Sequence, residues 1–194
     1  MPAWYDVLQI DVPWQWSTWS AKGGKKSPSR QYRLMTMDEA RALPVARLLR
    51  PGGAAIIWCT WPQIYPQLSM IENDWDLRIK TGGSWAKRTK TGKLRWGPGH
   101  IHRSVCEPWI VAVRGNGGGP AGPRIKNMIE TLHDMSLDGL AREHSRKPEE
   151  MYLLIEQLTP GAMRADVYSR QSAGRPGWHC FGDEVGKFDT EIIR

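Results

Sequence analysis

The sequence predicts an α/β fold in which a mostly parallel β-sheet is flanked by helices. Short apolar runs that favour strands alternate with segments of helical periodicity along the 194 residues, a pattern that builds parallel sheets covered by helices. The first run, Tyr5–Ile10, ends abruptly in Asp11, Val12, Pro13 and Trp14. Proline cannot continue a hydrogen-bonded ladder, so the chain must turn away there. The acid is therefore expected at the carboxyl edge of the sheet, where ligands of open α/β sheets bind.

Composition indicates one soluble globular domain that spans residues 1–194. Hydrophobic residues make up 40% and charged residues 24% of the chain, which is ordinary for such proteins. The formal net charge of +7 and the pI near 9.5 favour a polyanionic partner. The eleven tryptophans are unusual; core positions account for most of them, and some could stack on nucleobases.

Three widely spaced cysteines, Cys59, Cys106 and Cys180, contain no Cys-x-x-Cys pair. This spacing argues against a zinc site and for a reducing compartment. His100 and His102 lack a third ligand at a fitting spacing, so no metal is predicted. No apolar run approaches the length of about 18 residues that a membrane-spanning helix needs. The sequence therefore predicts a cytoplasmic protein without membrane contact.

The first half of the chain contains a long polar segment and then a second strand. Residues 15–31, rich in Gly, Ser and Lys, are predicted to form a mobile loop over the mouth of the cleft. Thr36 and Glu39 have the spacing of a capping box, which predicts a helix start. Residues 51–53, Pro-Gly-Gly, are predicted to be a turn, and residues 54–59 a second buried strand.

A helix over residues 62–73, a strand from Leu77 and a hairpin over residues 87–96 follow. The hairpin turns at Thr91-Gly92 and lies between Trp85 and Trp96. Its basic residues are Lys87, Arg88, Lys90, Lys93 and Arg95. Basic and aromatic residues interleaved in this way favour a nucleic-acid-binding arm over a merely solvated hairpin.

The second half is predicted to contain two strands around one helix, besides a strand near Met128. Residues 107–114 form a strand, and the glycine-rich residues after it lack the Gly-Lys-Ser/Thr of a phosphate loop. Pro148 followed by two glutamates predicts a helix start. The core face of that helix is Met151, Leu154, Ile155 and Leu158. Residues 159–161 end the helix, and residues 165–168 form the next strand.

Several blocks in order resemble the METTL-type adenine N6-methyltransferases, the Asp-Pro-Pro-Trp-motif family, in the small form found in bacteria and phages. Asp11-Val12-Pro13-Trp14 corresponds to that motif, with valine in place of the first proline. The other matching blocks are Tyr32, residues 35–39, residues 58–60, Glu107, residues 144–148 and residues 170–184. The resemblance covers the chain from Tyr5 to about Val185.

The resemblance implies a Rossmann-like fold with permuted motif order and S-adenosylmethionine as methyl donor. Lys147 corresponds to the lysine that contacts the carboxylate of the cofactor, and Arg170 to an arginine on the ribose side. Asp183, where the family has asparagine, and Glu184 correspond to a pair near the ribose and adenine. The complete set of implied cofactor-binding residues is Asp11, Lys147, Arg170, Ser172, Asp183 and Glu184.

The motif also suggests how the target amine is held. The exocyclic amine of adenine is a poor nucleophile, and acceptors for its two hydrogens localise its lone pair. Asp11 supplies one acceptor, a main-chain carbonyl of the motif supplies the other, and Trp14 and Tyr32 could wall the base. The implied substrate-binding residues are Tyr32, Glu107 and the five basic residues of the hairpin.

These observations favour a site-specific, S-adenosylmethionine-dependent enzyme that methylates N6 of adenine in nucleic acid, with DNA preferred to RNA. The alternative is a non-catalytic relative or partner subunit, an idea that Val12 raises. A nicotinamide-dependent oxidoreductase would need Gly-x-Gly-x-x-Gly after a strand near the start of the chain, and no such motif stands there. The sequence leaves open whether the protein is a monomer or a dimer.

Overall fold

The computed structural model describes residues 5–15, 33–97, 101, 103–116, 136–143, 146–170 and 175–188. Seven strands within these residues form one sheet. They are β1 (Tyr5–Ile10), β2 (Leu49–Trp58), β3 (Leu77–Arg88), β4 (Cys106–Arg114), β5 (Ser136–Leu140), β6 (Arg164–Val167) and β7 (Trp178–Phe181). Their order across the sheet is β5-β3-β4-β2-β1-β6-β7.

The predicted mostly parallel sheet is confirmed. β1 pairs in parallel with β2 on one side and with β6 on the other, and β3–β5 and β6–β7 are parallel as well. β4 runs antiparallel to both of its neighbours. The carboxyl ends of β1, β2, β3 and β6 therefore meet at one edge of the sheet.

Helices cover both faces of the sheet. They are α1 (Met37–Arg41), α2 (Val45–Leu48), a 3₁₀ helix (Trp61–Gln63), α3 (Ile64–Asn73) and α4 (Glu149–Leu158). Alternate side chains of β1 enter two separate cores: Leu8 and Ile10 pack on the side of α1 to α3, whereas Val7 packs with Met151 of α4. Burial on both faces explains why β1 is apolar almost throughout.

Local signals placed several elements correctly. The side chain of Thr36 accepts a hydrogen bond from the amide of Glu39, and the Glu39 carboxylate accepts one from the Thr36 amide, which completes the capping box. The hairpin turn is also present: Gly92 has φ = 77°, and the Arg95 amide bonds to the Lys87 carbonyl at 2.7 Å. Gly161, with φ = 73°, follows the end of α4.

Other local predictions were wrong in detail. Residues 51–53 lie inside β2, where Gly52 has φ = 80° and the register with β1 shifts, so pairing continues through a bulge. Pro148 is the N-cap of α4 and not its first helical residue. The buried side of α4 includes Tyr152, which the periodicity missed. β5 and β7 were not predicted, and the expected strand near Met128 lies outside the described residues.

No helix in the described part of the chain is long and apolar enough to cross a membrane.

Candidate active site at the carboxyl edge

A narrow cleft opens at the carboxyl ends of β1 and β6. Asp11 follows β1 directly, and β6 carries Asp166 at the register position of Gln9. The cleft is lined by Asp11, Arg146, Lys147, Tyr152, Asp166, Tyr168, Ser169 and Arg170. Parallel pairing brings the two acids to one edge although they are far apart in the chain.

Four charged side chains of alternating sign form a row beside this cleft. The Lys147 ammonium lies 2.9 Å from Asp11 Oδ2 and 2.6 Å from Glu107 Oε1. Lys87, at the end of β3, lies 2.6 Å from Glu107 Oε2. We call these residues the edge row. Two cations and two anions at these distances balance each other and hold Asp11 in a defined position.

Two buried tryptophans lie under the edge row. The ammonium of Lys147 is 5.1 Å from the centre of the Trp58 ring, and that of Lys87 is 5.0 Å from the Trp85 ring. The two rings meet edge to face at 6.0 Å. A lysine over an aromatic face is stabilised by the ring quadrupole, so each tryptophan helps to hold the lysine above it in place.

Burial makes Asp11 the member of the edge row that titrates near neutral pH. Burial raises the pKa of Asp11 to about 6; the Lys147 ammonium opposes the rise, and the Glu107 carboxylate adds to it. Burial also disfavours charged Glu107, but Lys147 and Lys87 outweigh it and lower the pKa to about 2. For Lys147, burial is outweighed by the two carboxylates, which raise its pKa.

Asp166 is a candidate site residue that the sequence reasoning missed. Its side chain is buried, and it accepts hydrogen bonds from the Tyr152 hydroxyl at 2.6 Å and from Gln9 Nε2 at 3.2 Å. Burial raises its pKa, although these bonds oppose the rise. A buried glutamine in β1 was the signal in the sequence, but its partner could not be identified without the strand order.

The motif residues after Asp11 are mostly buried. Val12 and Trp14 pack in the core on the side of α1 to α3, so Trp14 forms part of the floor and offers no open stacking face. The Val12 carbonyl accepts a hydrogen bond from the Trp14 amide, and the Pro13 carbonyl one from the Met35 amide, both at 2.8 Å. Each carbonyl oxygen retains a second lone pair with which it can accept another donor.

The C-terminal segment contacts Arg170 through Glu184 and Phe188. The Arg170 guanidinium pairs with Glu184 at 2.7 Å and lies 5.1 Å from the Phe188 ring. A side chain at Gly182 would come within 2.8 Å of the Ser169 carbonyl oxygen, so glycine allows this close approach. Asp183 is exposed. The structure thus brings Arg170 and Glu184 together but leaves Asp183 outside the pair.

The basic hairpin does not present five equivalent cations. Lys87 belongs to the edge row, Arg88 pairs with Asp138 at 2.8 Å, and Arg95 donates to the Arg142 carbonyl at 2.6 Å. Lys90 and Lys93 are exposed at the turn. Of the five basic residues, three contact other protein groups and two lie at the tip of the hairpin.

Several predicted residues lie outside the described part of the chain: Tyr32, Ser172, His100, His102 and residues 16–31. Among the described residues, no group of three His, Cys, Asp or Glu side chains is placed to hold a metal ion.

Fold and cleft together define an α/β protein with a charged cleft at the carboxyl edge of its sheet, where an acidic residue follows the interior strand β1. The MT-A70 family model matches residues 5–184, so the chain belongs to the MT-A70 family. This is a family of S-adenosylmethionine-dependent methyltransferases. The resemblance inferred from the motifs is thereby confirmed.

Named relatives share this domain. The Arabidopsis thaliana N(6)-adenosine-methyltransferase MT-A70-like is 28% identical over 183 residues, 93% of this chain and 24% of the relative. The Mus musculus N(6)-adenine-specific methyltransferase METTL4 is 24% identical over 191 residues, 95% and 38% of the two chains. The Homo sapiens N(6)-adenosine-methyltransferase catalytic subunit METTL3 is 26% identical over 167 residues, 84% and 27%. The chain thus spans well under half the length of these relatives.

The charged groups that line the narrow cleft match in sign the charged groups of the cofactor that the family implies. S-adenosylmethionine carries a sulfonium and an ammonium cation as well as a carboxylate, so its site needs groups of both signs. Asp11 and Asp166 supply the anions, and Arg146, Lys147 and Arg170 supply the cations. Buried charged groups at a concave edge are typical of sites that bind small charged ligands.

Proposed function

We propose that this chain transfers a methyl group from S-adenosylmethionine to the exocyclic N6 amine of adenine in nucleic acid, with DNA as the first substrate to test. The observation that carries the proposal is the position of Asp11. It follows the interior strand β1, lies in the motif that resembles that of the family and pairs with Lys147 in the lining of the cleft.

Asp11 would orient the amine of the target base. Its ionised carboxylate accepts one N6 hydrogen, and the free lone pair of the Val12 carbonyl accepts the other. These two bonds draw the nitrogen lone pair out of conjugation with the ring. Because only the carbonyl of Val12 is used, the valine side chain in place of proline is compatible with catalysis.

The remaining charged groups would hold the cofactor. Lys147 and Arg170 suit its carboxylate and ribose side, whereas Asp183 and Glu184 suit hydroxyl groups. The bound cofactor supplies an electrophilic methyl group on a sulfonium. Asp166, buried and bonded to Tyr152, keeps a second anion in the cleft near the cationic part of that ligand.

The test is methylation of adenine-containing oligonucleotides, single-stranded and duplex, as DNA and as RNA. Products are digested to nucleosides and N6-methyladenine is measured by mass spectrometry. Asp11→Ala should lower kcat by about 10²- to 10³-fold, since one preorganised hydrogen bond is lost. Asp11→Asn, whose amide oxygen still accepts a bond, should retain more activity than Asp11→Ala.

The same experiment addresses the non-catalytic alternative. Calorimetry first establishes that the wild type binds S-adenosylmethionine and that Asp11→Ala is folded. Wild-type protein that binds cofactor and oligonucleotide but yields no more product than Asp11→Ala would overturn the enzyme proposal. That result would favour a partner subunit that binds nucleic acid without catalysis.

A further inference from the structure

Two large aromatic side chains are exposed at the edge of the sheet that carries Asp11. Trp61 is 52% exposed and Tyr65 is 82% exposed. Trp61 begins the 3₁₀ helix, and Tyr65 lies one turn further on in the helix that continues from it. By contrast, Trp14 and Trp58, which flank the same edge, are 6% and 1% exposed. Positions 61 and 65 are four residues apart and so lie on the same helical face, and neighbouring exposed apolar side chains mark candidate binding surfaces.

The strand pairing puts this aromatic pair next to the motif. β1 and β2 run in parallel with Ile10 opposite Ile57, so both chains leave the sheet at the same level. The 3₁₀ helix contacts the motif segment directly, because Gln63 Nε2 donates to the Gln15 carbonyl at 3.1 Å. The start of α3 thus lies beside the chain that carries Asp11.

The helix start that bears the aromatic pair is held in place by a second set of bonds. The Thr60 amide donates to Gln67 Oε1 at 2.9 Å, and Gln67 is fully buried. Ile64, between the two aromatic residues, packs against the core. Trp61 and Tyr65 are therefore presented from a fixed backbone, which lowers the entropic cost of stacking on a ligand.

We propose that Trp61 and Tyr65 form a stacking surface for an unpaired base next to the adenine that enters the cleft. The inference rests on the proposed function and adds a second subsite to it. Aromatic side chains bind bases through their flat faces, a mode that tolerates any base. A target base that leaves its stack also leaves its neighbours with unstacked faces, and the surface beside Asp11 is placed to receive one.

The positive charge of the chain favours a nucleic acid strand as the ligand that Trp61 and Tyr65 bind. The chain carries a net charge of +7, and the tip of the basic hairpin follows β3, whose carboxyl end lies at the same edge. A nucleic acid strand that runs along this edge would contact Lys90 and Lys93 through its phosphates and the aromatic pair through its bases. The lysines would then supply an attraction that depends on salt. The aromatic pair would add stacking affinity that involves no charge.

The test uses fluorescence anisotropy with a fluorescein-labelled oligothymidylate that carries one central adenine. Trp61→Ala and Tyr65→Ala should each weaken binding, and the double variant should weaken it by about tenfold or more. Trp61→Phe, which keeps an aromatic face, should recover most of the loss. The slope of log affinity against log salt should stay at the wild-type value in these variants, whereas neutralising Lys90 and Lys93 should flatten it.

A probe with an abasic residue beside the adenine identifies the partner of the aromatic pair. Removing the base next to the adenine, on one of its two sides, should weaken binding to the wild type by about tenfold. The same removal should change the affinity of the double variant little. Met163→Ala is the matched control, since Met163 is 40% exposed and precedes β6 at the opposite edge. Its affinity should equal that of the wild type.

The outcomes separate this inference from the proposed function. A double variant that binds like the wild type, or that loses as much affinity on the abasic probe as the wild type does, would overturn the stacking surface alone. Wild-type protein that binds no oligonucleotide would overturn both. Tyr65 is almost fully exposed, so Tyr65→Ala keeps the test valid even if Trp61→Ala lowers stability.

Discussion

Two dense clusters of charged side chains in the described part of the chain differ in what their carboxylates contact. In the edge row, the partly buried carboxylate of Asp11 pairs with one cation, Lys147, and the pKa of Asp11 is raised to about 6. In the second cluster, Glu156 of α4 binds Arg175 through both oxygens, at 2.7 and 3.2 Å. None of its charged residues lines the cleft, although Arg175 lies 5.0 Å from the ring of the lining residue Tyr152; we call it the α4 cluster.

The α4 cluster satisfies its charged groups with hydrogen bonds. Glu156 also accepts the Trp178 indole N–H at 2.7 Å, and Arg175 reaches Glu149 as well. The hydrogen bond from Arg175 is the main cause that lowers the pKa of Glu156. Arg164 donates to the hydroxyl of Thr159 at 3.0 Å. These bonds tie α4 to β6 and β7, so we interpret the cluster as structural.

The comparison shows that charge density alone does not identify a site. A carboxylate with several donors is stabilised as an anion and has little tendency to bind anything else. A buried carboxylate whose pKa is raised can still accept a hydrogen bond from a further donor. Its pKa also lies near the pH at which enzymes commonly work. The direction of the pKa shift therefore separates Asp11 from Glu156.

The largest expected effect on stability comes from Lys147→Met. Removal of this buried ammonium leaves the partly buried carboxylates of Asp11 and Glu107 without their shared cation, which should lower the free energy of unfolding by about 3 kcal/mol, the lower end of the range for a buried pair. Urea unfolding measures the loss. The control is Lys187→Met, because Lys187 pairs with Glu184 at an exposed position, where such pairs contribute about 0–1 kcal/mol. Equal losses in both variants would contradict the buried edge row.

A smaller effect is expected from Glu156→Gln in the α4 cluster. The amide keeps the shape of the side chain but loses the charge that both Arg175 and Trp178 contact, so the free energy of unfolding should fall by about 1–3 kcal/mol. Affinity for S-adenosylmethionine and kcat should stay at wild-type values. A variant that is stable but binds the cofactor poorly would show that the cluster belongs to the site.

The smallest effect concerns pH. Since Asp11 must be ionised to accept the amine, kcat/KM should rise with pH through about pH 6. Glu107→Gln removes a like charge that raises the pKa of Asp11, so the midpoint should move to lower pH, by about half a unit to one unit. Glu156→Gln should leave the midpoint unchanged. A midpoint that moves to higher pH in Glu107→Gln would contradict the arrangement.

Local sequence signals predicted much of the scaffold. The apolar run before Asp11, the capping box at Thr36 and the helix stop near Gly161 depend on residues a few positions apart, and each is present in the structure. Predictions failed where tertiary pairing overrode local preference. Residues 51–53 continue as a bulged strand because β1 lies beside them, and β7 forms because β6 offers it an edge.

Only some residues of the candidate site could be predicted from the sequence. Asp11 and its motif were visible because the chemistry is contiguous in the chain, and Lys147 and Glu107 were indicated by the family resemblance. That these two side chains bond to each other, 40 residues apart in the chain, was not predicted. Asp166 was missed altogether, because its bond to Gln9 joins residues 157 positions apart.

The order of residues in the chain therefore decides where a strand ends and which acid follows it, since those outcomes depend on neighbouring residues. The order of strands in the sheet decides which other charges lie beside that acid. Parallel pairing brings carboxyl ends together from distant parts of the chain, and burial there sets the pKa of Asp11. The same strand order leaves Trp61 exposed beside Asp11 while Trp58 is buried under Lys147.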